Sequence, residues 1–264
     1  MDFNLLHFMW ISYSIIVTFS GLNVLYVKNI PAVLIRLFTF GKTHKSISKE
    51  DSIAKRFEIP KRWFSHFYVF AVLYFTIITG GVLCKYFAGL SSHCFVYLLN
   101  LCSSSNRLVT VGFTFYFGVG LSLIHDAPGF ERVHDYTANY ISGQWLSFSH
   151  FLGVVLFFFA FHLQFESHKI LASLRTTGNK VTSTGHHLPA SGFFEYVSCP
   201  HYFAEILIYV SGCIILSGKS YTWWLVCLWT VCNQLLTGIM CHKWYKKTFK
   251  NYPVQRKAVI PFLI

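Results

Sequence analysis

The sequence predicts an all-α integral membrane protein, a bundle of about six transmembrane helices, and three observations lead to that fold class. Hydrophobic residues make up 54% of the 264 residues and charged residues only 12%, about half the share typical of soluble domains. The apolar residues fall into separate runs near the length of about 20 residues that a bilayer core requires. The basic residues cluster between these runs, as they do in the loops of membrane proteins.

Six apolar stretches are the predicted spans, and together they form one membrane-embedded domain over residues 1–264. The first has no basic region ahead of it and no small-residue cleavage site, so we expect a retained anchor. The third is short but nearly free of polar groups. In chain order the predicted spans are residues 5–27, 64–90, 109–124, 145–165, 197–217 and 222–241.

The basic residues predict which segments share a membrane side. Eighteen of the 22 Lys and Arg residues lie in segments 28–62 and 166–192 and in the tail after residue 241. An excess of Lys and Arg marks cytoplasmic segments, so we expect all three on that side of a multi-pass protein. Six spans cannot place all three segments there, because the chain changes side at every crossing. Segment 166–192 and the tail would then lie on the side opposite to segment 28–62. One further crossing between residues 90 and 109 would put all three segments on the same side. The alternative is that the basic residues of this chain do not follow the positive-inside rule.

Cysteine spacing and the distribution of basic residues exclude several classes of function. The eight cysteines form no C-x-x-C pair and mostly lie in apolar runs, so we expect no metal site and no disulfide scaffold. The net charge of +12 does not indicate a nucleic-acid partner, because basic and aromatic residues do not alternate on one exposed face.

Ionisable residues concentrate in segment 186–205, between two apolar runs. His201 and Glu205 are one helical turn apart and share a face, as do Gln164 and His168 at the end of the preceding span. Ionisable groups at the edge of a bilayer are costly, so they indicate a site that meets a polar cofactor or a lipid-borne substrate. The alternative is that His201 and Glu205 are a hydrogen-bonded pair that ties two helices together.

Four motifs together resemble the steroid 5α-reductase family, and within it the polyprenol reductase branch. They are FEIPKRWFSHFYVF (57–70), HLPASGFFEYVSCPHYFAEILIY (187–209), YTWWLV (221–226) and YKKTFKNYPVQRKAVIPFLI (245–264). The resemblance implies seven helices in the endoplasmic reticulum membrane, with NADPH entering from the cytosol and a polyprenyl lipid from the bilayer. It implies an NADPH-dependent oxidoreductase acting on the α-isoprene double bond of polyprenal, toward the dolichol used in protein N-glycosylation. Relatives reduce Δ4-3-oxosteroids, a second activity that the resemblance implies.

The resemblance also implies site residues by their positions in these motifs. Arg175 would meet the cofactor phosphates, which suits a planar and permanently charged guanidinium; membrane topology alone would explain it as a flanking anchor. The implied cofactor-binding residues are Gln164, His168, Arg175, His187, Tyr196, His201, Glu205, His242, Tyr245 and Arg256. No catalytic residue is assigned. His66 and Tyr68 are candidates, and the alternative is that they belong to an interfacial aromatic belt.

The chain departs from the family pattern in ways that bear on activity. Steroid reductases have arginine at the position of His187 and asparagine at that of His201. Polyprenol reductases carry an R-R-L-x-E element after the second span, and nothing like it occurs between Leu90 and Ile124. This is the interval in which the charges already require another crossing, so we expect that about one helix of the family is absent.

Two other functions stay open on sequence grounds. Isoprenylcysteine methyltransferases share a shorter His-Pro-x-Tyr element ahead of a glutamate, but that element serves S-adenosylmethionine. The FEYVS motif and the Tyr-Pro-x-x-Arg-Lys tail favour a reductase over a prenyl-lipid methyltransferase. The third hypothesis is an inactive, splice-type remnant that keeps the cofactor half and lacks a working site.

Overall fold

The structure is a computed structural model, and its described residues form two compact units. One unit comes from Met1–Asp51 and Ile141–Ile264, and the other from Ser52–Tyr140. The described residues are 5–27, 69, 73–77, 80, 110–125, 147–174, 176–177, 180–181 and 186–264. The organisation as a single domain stays a prediction.

The described part of the chain is built almost wholly from α-helices. These are α1 (Leu5–Tyr26), α2 (Thr110–His125), α3 (Phe148–Ser173), α4 (Pro200–Ile215) and α5 (Tyr221–Thr248). A two-residue antiparallel ladder joins β1 (Thr176–Thr177) to β2 (Lys180–Val181), and a 3₁₀ helix covers Gly192–Glu195. Helices α1, α3 and α5 are long and apolar enough to cross a membrane, and α4 is a shorter apolar helix. The predicted fold class, an all-α membrane protein, is confirmed.

Two predicted spans, 145–165 and 222–241, end too early. Helix α3 continues to Ser173, so part of the predicted loop 166–192 is helical. The apolar run sets the length inside the bilayer but not the end of the helix, and Lys169 supports the extra turns by pairing with Glu166 one turn away at 3.4 Å. Helix α5 continues to Thr248, with Lys246 and Lys247 in its last turn, where cations favour a helix C-terminus.

The other predicted spans agree with the observed helices to different extents. Prediction 5–27 matches α1, and 109–124 matches α2. Prediction 197–217 begins three residues too early, because α4 starts at Pro200, a residue suited to a first helical turn. In span 64–90 the structure describes helical residues 73–77 and two single positions, and the predicted crossing between 90 and 109 lies outside the described residues.

The smaller unit contains α2 and the helical residues 73–77. The Tyr74 hydroxyl donates a hydrogen bond to the Phe117 carbonyl at 3.2 Å, and the two rings lie 5.7 Å apart. Tyr74 is 1% exposed, so its hydroxyl is satisfied inside the protein as a buried polar group requires.

In the larger unit, α1 and α5 run in the same direction. His7 Nε2 lies 2.8 Å from the Thr222 hydroxyl near the start of both helices. A Cβ on Gly21 would lie 2.7 Å from Leu236 Cδ1, so the helices touch closely in the middle. Lys243 Nζ donates to the Leu25 carbonyl at 3.3 Å near their ends. Both helices therefore reach the same end of the unit with their C-termini.

Helices α3 and α4 run in opposite directions. Ser149 lies 3.0 Å from Ser217 at one end of the pair, and the rings of His168 and His201 lie 5.4 Å apart at the other. Between them, a Cβ on Gly153 would come within 3.0 Å of the α4 backbone, so glycine is what allows the close approach.

A tight turn reverses the chain between α4 and α5. Ser217 and Gly218 have positive φ values of 52° and 69°. The Gly218 N–H donates to the Cys213 carbonyl and the Ser217 N–H to the Ile214 carbonyl, both at 2.9 Å, which is the Schellman pattern. The Ser220 hydroxyl then caps α5 by accepting from the Trp223 N–H. Helix α5 consequently runs back alongside α4.

These directions bring four helix ends together. We call the end formed by the C-termini of α1, α3 and α5 and the N-terminus of α4 the polar end, and the other the opposite end. Helices α1, α3 and α5 end there and α4 begins there, so the described helix ends that border segments 28–62 and 174–199 and the tail all lie at the polar end. The shared membrane side of the three basic segments stays a prediction.

The tail packs back onto the polar end. Ser198 N–H donates to the Lys257 carbonyl at 2.8 Å, and Lys257 N–H donates to the Tyr196 carbonyl at 2.9 Å, in a short parallel bridge. On α5, a Cβ at Gly238 would lie 2.1 Å from Val259 Cγ2, so only glycine leaves room for this contact. The tail is thereby fixed against α4 and α5.

Candidate functional site

Polar side chains of α3, α4 and α5 meet at the polar end. His168 of α3 faces His201 of α4. One turn deeper, Glu205 accepts a hydrogen bond from Gln234 of α5. The described contacts thus pair the predicted residue His168 with His201 and join Glu205 to Gln234, and Gln164 lies one turn before His168 on α3.

Tyr202 connects this cluster to a second one on the tail. Its ring lies 4.2 Å from the His201 ring, and it packs against a core cluster that includes Ala258 and Val259 of the tail. Tyr245 is 2% exposed and stacks on Tyr252 at a ring distance of 6.1 Å. Tyr202 therefore connects His201 to the tail, and Tyr245 connects α5 to it.

The second cluster joins Ser198, His242 and Tyr252. Ser198 Oγ lies 2.5 Å from His242 Nδ1, hydrogen-bonds the Tyr252 hydroxyl and donates to the Lys257 carbonyl at 3.0 Å. The Tyr252 hydroxyl also lies 3.1 Å from His242 Nδ1. Burial raises the pKa of Tyr252, although the hydrogen bond with Ser198 and the charge of Arg256 oppose that rise. The three side chains form one network that holds the tail to α5.

Arg256 is the most buried cation of the described residues, with 4% of its surface exposed. Its Nη1 donates to the Pro189 carbonyl at 3.0 Å, and its guanidinium carbon lies 5.3 Å from the centre of the Tyr252 ring. Its Nε is buried and has no hydrogen-bond acceptor among the described residues. A guanidinium stays charged even when buried, so this group has capacity to bind an anion.

The surroundings of this network are positively charged. Lys246, Arg256 and Lys257 are all close enough to act electrostatically on His242. No acidic residue follows Glu205 in the sequence. The tail side of the polar end therefore presents positive charge without acidic side chains of its own, which favours an anionic ligand.

The remaining predicted residues take different positions. Tyr196 is 50% exposed, packs on Phe262 at a ring distance of 6.2 Å and accepts the Lys257 N–H through its carbonyl. His187 is exposed two residues before Pro189. Arg175, like the candidates His66 and Tyr68, lies outside the described residues.

Four residues of the two clusters escaped the sequence analysis: Gln234, Tyr202, Ser198 and Tyr252. Gln234 could have been found, because an amide within an apolar span is costly and marks a polar partner. Ser198 and Tyr252 carry no such signal, since serine and tyrosine are common at membrane boundaries. Their importance depends on contacts with His242, 44 and 10 residues away along the chain.

The part of the chain that contains the cluster is also the part that matches a known family. Residues 129–264, which contain the whole cluster, match the sequence model of the family described as 3-oxo-5-alpha-steroid 4-dehydrogenase. The chain belongs to this family. The predicted resemblance is confirmed, and the family name describes oxidoreductases.

Similar proteins carry the name polyprenal reductase. That of Drosophila melanogaster is 31% identical over 99% of this chain and 94% of its own length. That of Danio rerio is 40% identical over 58% of this chain, and that of Homo sapiens is 29% identical over 88%. The aligned part of the chain spans about half of the Danio rerio protein, 48% of its length.

The Drosophila alignment also shows a difference in length. It extends over 314 positions, whereas this chain has 264 residues. At least 50 positions of that relative therefore have no counterpart here. This is enough chain for a membrane crossing with its flanking loops.

Proposed function

We propose that this protein reduces the α-isoprene double bond of polyprenal with NADPH, in the membrane of the endoplasmic reticulum. The product supplies dolichol for protein N-glycosylation. The family membership and the relatives named polyprenal reductase support the reaction class. The membrane-spanning helices support a lipid substrate that reaches the protein from the bilayer.

The observation that carries the cofactor proposal is the buried Arg256. Its unused Nε donor and the positive charge of Lys246 and Lys257 fit the phosphates of a dinucleotide. The aromatic and polar side chains of His201 and Tyr245 fit its neutral parts. NADPH, when bound, supplies the hydride for the substrate double bond. The chain's own contribution is to hold and orient the cofactor and to exclude water.

The substrate side of the proposal depends on the outer surface of the helices. Helix α3 exposes several phenylalanines, among them Phe151, Phe158 and Phe161, each more than half exposed. Such a surface suits contact with lipid chains, and an apolar polyprenyl tail can approach through the same medium. The donor that stabilises the substrate carbonyl in the transition state stays unassigned; His66 and Tyr68 are the candidates.

A second candidate function is cofactor binding without turnover. At least 50 positions of the Drosophila relative are missing from this chain, which favours a remnant that keeps the cofactor half. Loss of a donor to the developing oxyanion commonly costs about 100- to 1,000-fold in rate. The steroid activity and the methyltransferase alternative differ from the main proposal in substrate and in cofactor, respectively.

The test uses membranes from cells that lack polyprenal reductase and express the full chain. We expect NADPH-dependent conversion of polyprenal and a rise in the ratio of dolichol to polyprenol. Arg256→Ala should lower both, and Lys219→Ala, which removes a cation at the opposite end, should lower neither. A chimera in which the interval between Leu90 and Ile124 is replaced by the aligned interval of the Drosophila relative serves as the positive control.

The possible outcomes separate the candidates. Conversion by the chimera alone, with NADPH bound by both forms, would support the remnant. Conversion of a Δ4-3-oxosteroid but not of polyprenal would overturn the substrate. Methyl transfer from S-adenosylmethionine without NADPH binding would overturn the proposal as a whole.

A further inference from the structure

Three lysines form an exposed stripe where α5 ends. Lys243 and Lys247 are one turn apart on the same face of the helix, and Lys250 follows two residues after its last residue. All three side chains are exposed. We call these three residues the lysine stripe.

The stripe lies at the depth of a membrane surface. Lys243 Nζ is 4.9 Å from the centre of the Tyr26 ring and donates to the Leu25 carbonyl. Tyr26 ends the apolar helix α1 and is 72% exposed. An exposed tyrosine at the end of an apolar span is typical of the interface between lipid chains and headgroups. The stripe therefore starts at the headgroup layer.

The stripe is distinct from the candidate cofactor site. Residues of an α-helix are 100° apart, so Lys246 lies about 40° from His242 around the axis, whereas Lys247 lies about 140° away. This placement agrees with the electrostatic interaction of Lys246 with His242. Lys246 consequently lies on the side of His242, whereas Lys243, about 100° from His242, and Lys247 lie on another side of the helix.

The stripe has no acidic neighbour in its part of the sequence. No Asp or Glu occurs after Glu205, whereas Lys169 at the end of α3 has Glu166 as its partner at 3.4 Å. The C-terminus of a helix favours cations, but its partial charge of about one half does not neutralise three of them. The stripe therefore carries three positive charges and has no acidic partner in the described chain after Glu205.

We propose that Lys243, Lys247 and Lys250 bind the headgroups of anionic phospholipids in the leaflet at the polar end. Basic residues at the end of a span attract anionic lipids, and the effect falls off within about 10 Å in salt solution. The bound headgroups would fix the depth of α5, and with it the height of the polar cluster. The proposal does not depend on the reductase activity.

The test measures the preference of the full chain for phosphatidylserine over phosphatidylcholine in vesicles, by energy transfer from its tryptophans to a labelled lipid. We expect the parent to prefer phosphatidylserine, by about fivefold for each lysine engaged, and to lose the preference in high salt. The triple variant Lys243→Gln, Lys247→Gln, Lys250→Gln should lose it. The triple arginine variant should keep it, which separates loss of charge from damage to folding.

Two single variants are matched controls. Lys219→Gln removes a cation at the opposite end, and Lys246→Gln removes one on the face of His242; both should keep the preference. The proposal is wrong if the parent shows no preference, if the salt dependence is absent, or if either control abolishes the preference. It is also wrong if NADPH displaces the labelled phosphatidylserine, because the lysines would then belong to the cofactor site.

Discussion

The two ends of the larger unit hold their polar groups in different ways. At the opposite end the described contacts between helices are pairs of neutral polar groups: Ser149 meets Ser217, and His7 meets Thr222. At the polar end the Arg256 guanidinium lies buried against the Tyr252 ring, and ionisable groups from three helices and the tail are held close together.

The difference shows where function is located. Short hydroxyl bridges are sufficient to join helices, as the opposite end shows, so joining alone does not require a buried Arg256. A buried charge costs several kcal/mol unless it is compensated. At the polar end the Pro189 carbonyl and the Tyr252 ring compensate only part of it, because Nε stays without an acceptor among the described residues. This cost is expected of a ligand site.

The largest effect is expected from removing this charge. Arg256→Ala should weaken NADPH binding by roughly 10- to 150-fold, because a charge-assisted hydrogen bond contributes about 1.5–3 kcal/mol. Fluorescence titration of the purified protein measures the dissociation constant. Lys219→Ala, at the opposite end, should leave it unchanged. Equal affinity of Arg256→Ala and the parent would contradict the placement of the phosphates.

A glycine at each end tests whether tail docking or helix packing matters for binding. Gly238→Ala places a Cβ 2.1 Å from Val259 Cγ2, so the tail must shift and NADPH binding should fall about tenfold or more. Gly153→Ala should instead lower the thermal midpoint, because its Cβ meets the α4 backbone at 3.0 Å.

The contrast between these two glycine variants is what counts. Gly238→Ala should mainly change the affinity for NADPH, and Gly153→Ala should mainly change the thermal midpoint. If Gly153→Ala weakened NADPH binding as much as Gly238→Ala, the two ends would not be functionally distinct.

A histidine at each end gives a third comparison. His201→Ala should weaken NADPH binding about tenfold, because it removes a polar ring between His168 and Tyr202. His7→Ala removes the hydrogen bond to Thr222 and should cost about 1 kcal/mol of stability without changing affinity. Isothermal titration and thermal unfolding of both variants measure the two effects. An unchanged affinity in His201→Ala would remove this residue from the site.

The smallest effect is expected from Tyr252→Phe. Loss of the hydroxyl network should cost about 1 kcal/mol of stability and a few-fold in affinity. Because burial raises the pKa of Tyr252, the folded state keeps its proton while the unfolded state loses it above about pH 10. The parent should therefore lose stability as the pH rises past that value, and the variant should lose less. Identical pH profiles would show that this tyrosine does not contribute.

Much of the fold followed from the sequence because apolar runs and basic loops have simple physical causes. The first span and the start of α5 were placed within one residue. The extension of α3 to Ser173 was missed, because hydropathy indicates which part of a helix lies inside the bilayer and not where the helix ends. In the site, His201 and Glu205 could be recognised by their cost in a membrane, whereas Ser198 and Tyr252 depend on contacts that no local pattern encodes.

The directions of the helices sharpen the topology prediction. Residue 27 follows the end of α1 at the polar end, whereas residue 147 precedes the start of α3 at the opposite end. The chain between them must therefore cross the membrane an odd number of times, and the predicted spans 64–90 and 109–124 give only two crossings. The predicted crossing between residues 90 and 109 would provide the third. Glycosylation sites inserted into segments 28–62 and 174–192 and into the tail test the sidedness, and we expect none of the three to be modified. Modification of the insert in 174–192 would contradict a shared cytoplasmic side.

The most direct test of the central claim is a titration of the purified full chain with NADPH and, separately, with S-adenosylmethionine. We expect saturable NADPH binding that is lost in Arg256→Ala, retained in Lys219→Ala and unaffected by S-adenosylmethionine. Binding of S-adenosylmethionine with no binding of NADPH, or NADPH binding that Arg256→Ala does not change, would contradict the assignment of the polar end as the cofactor site.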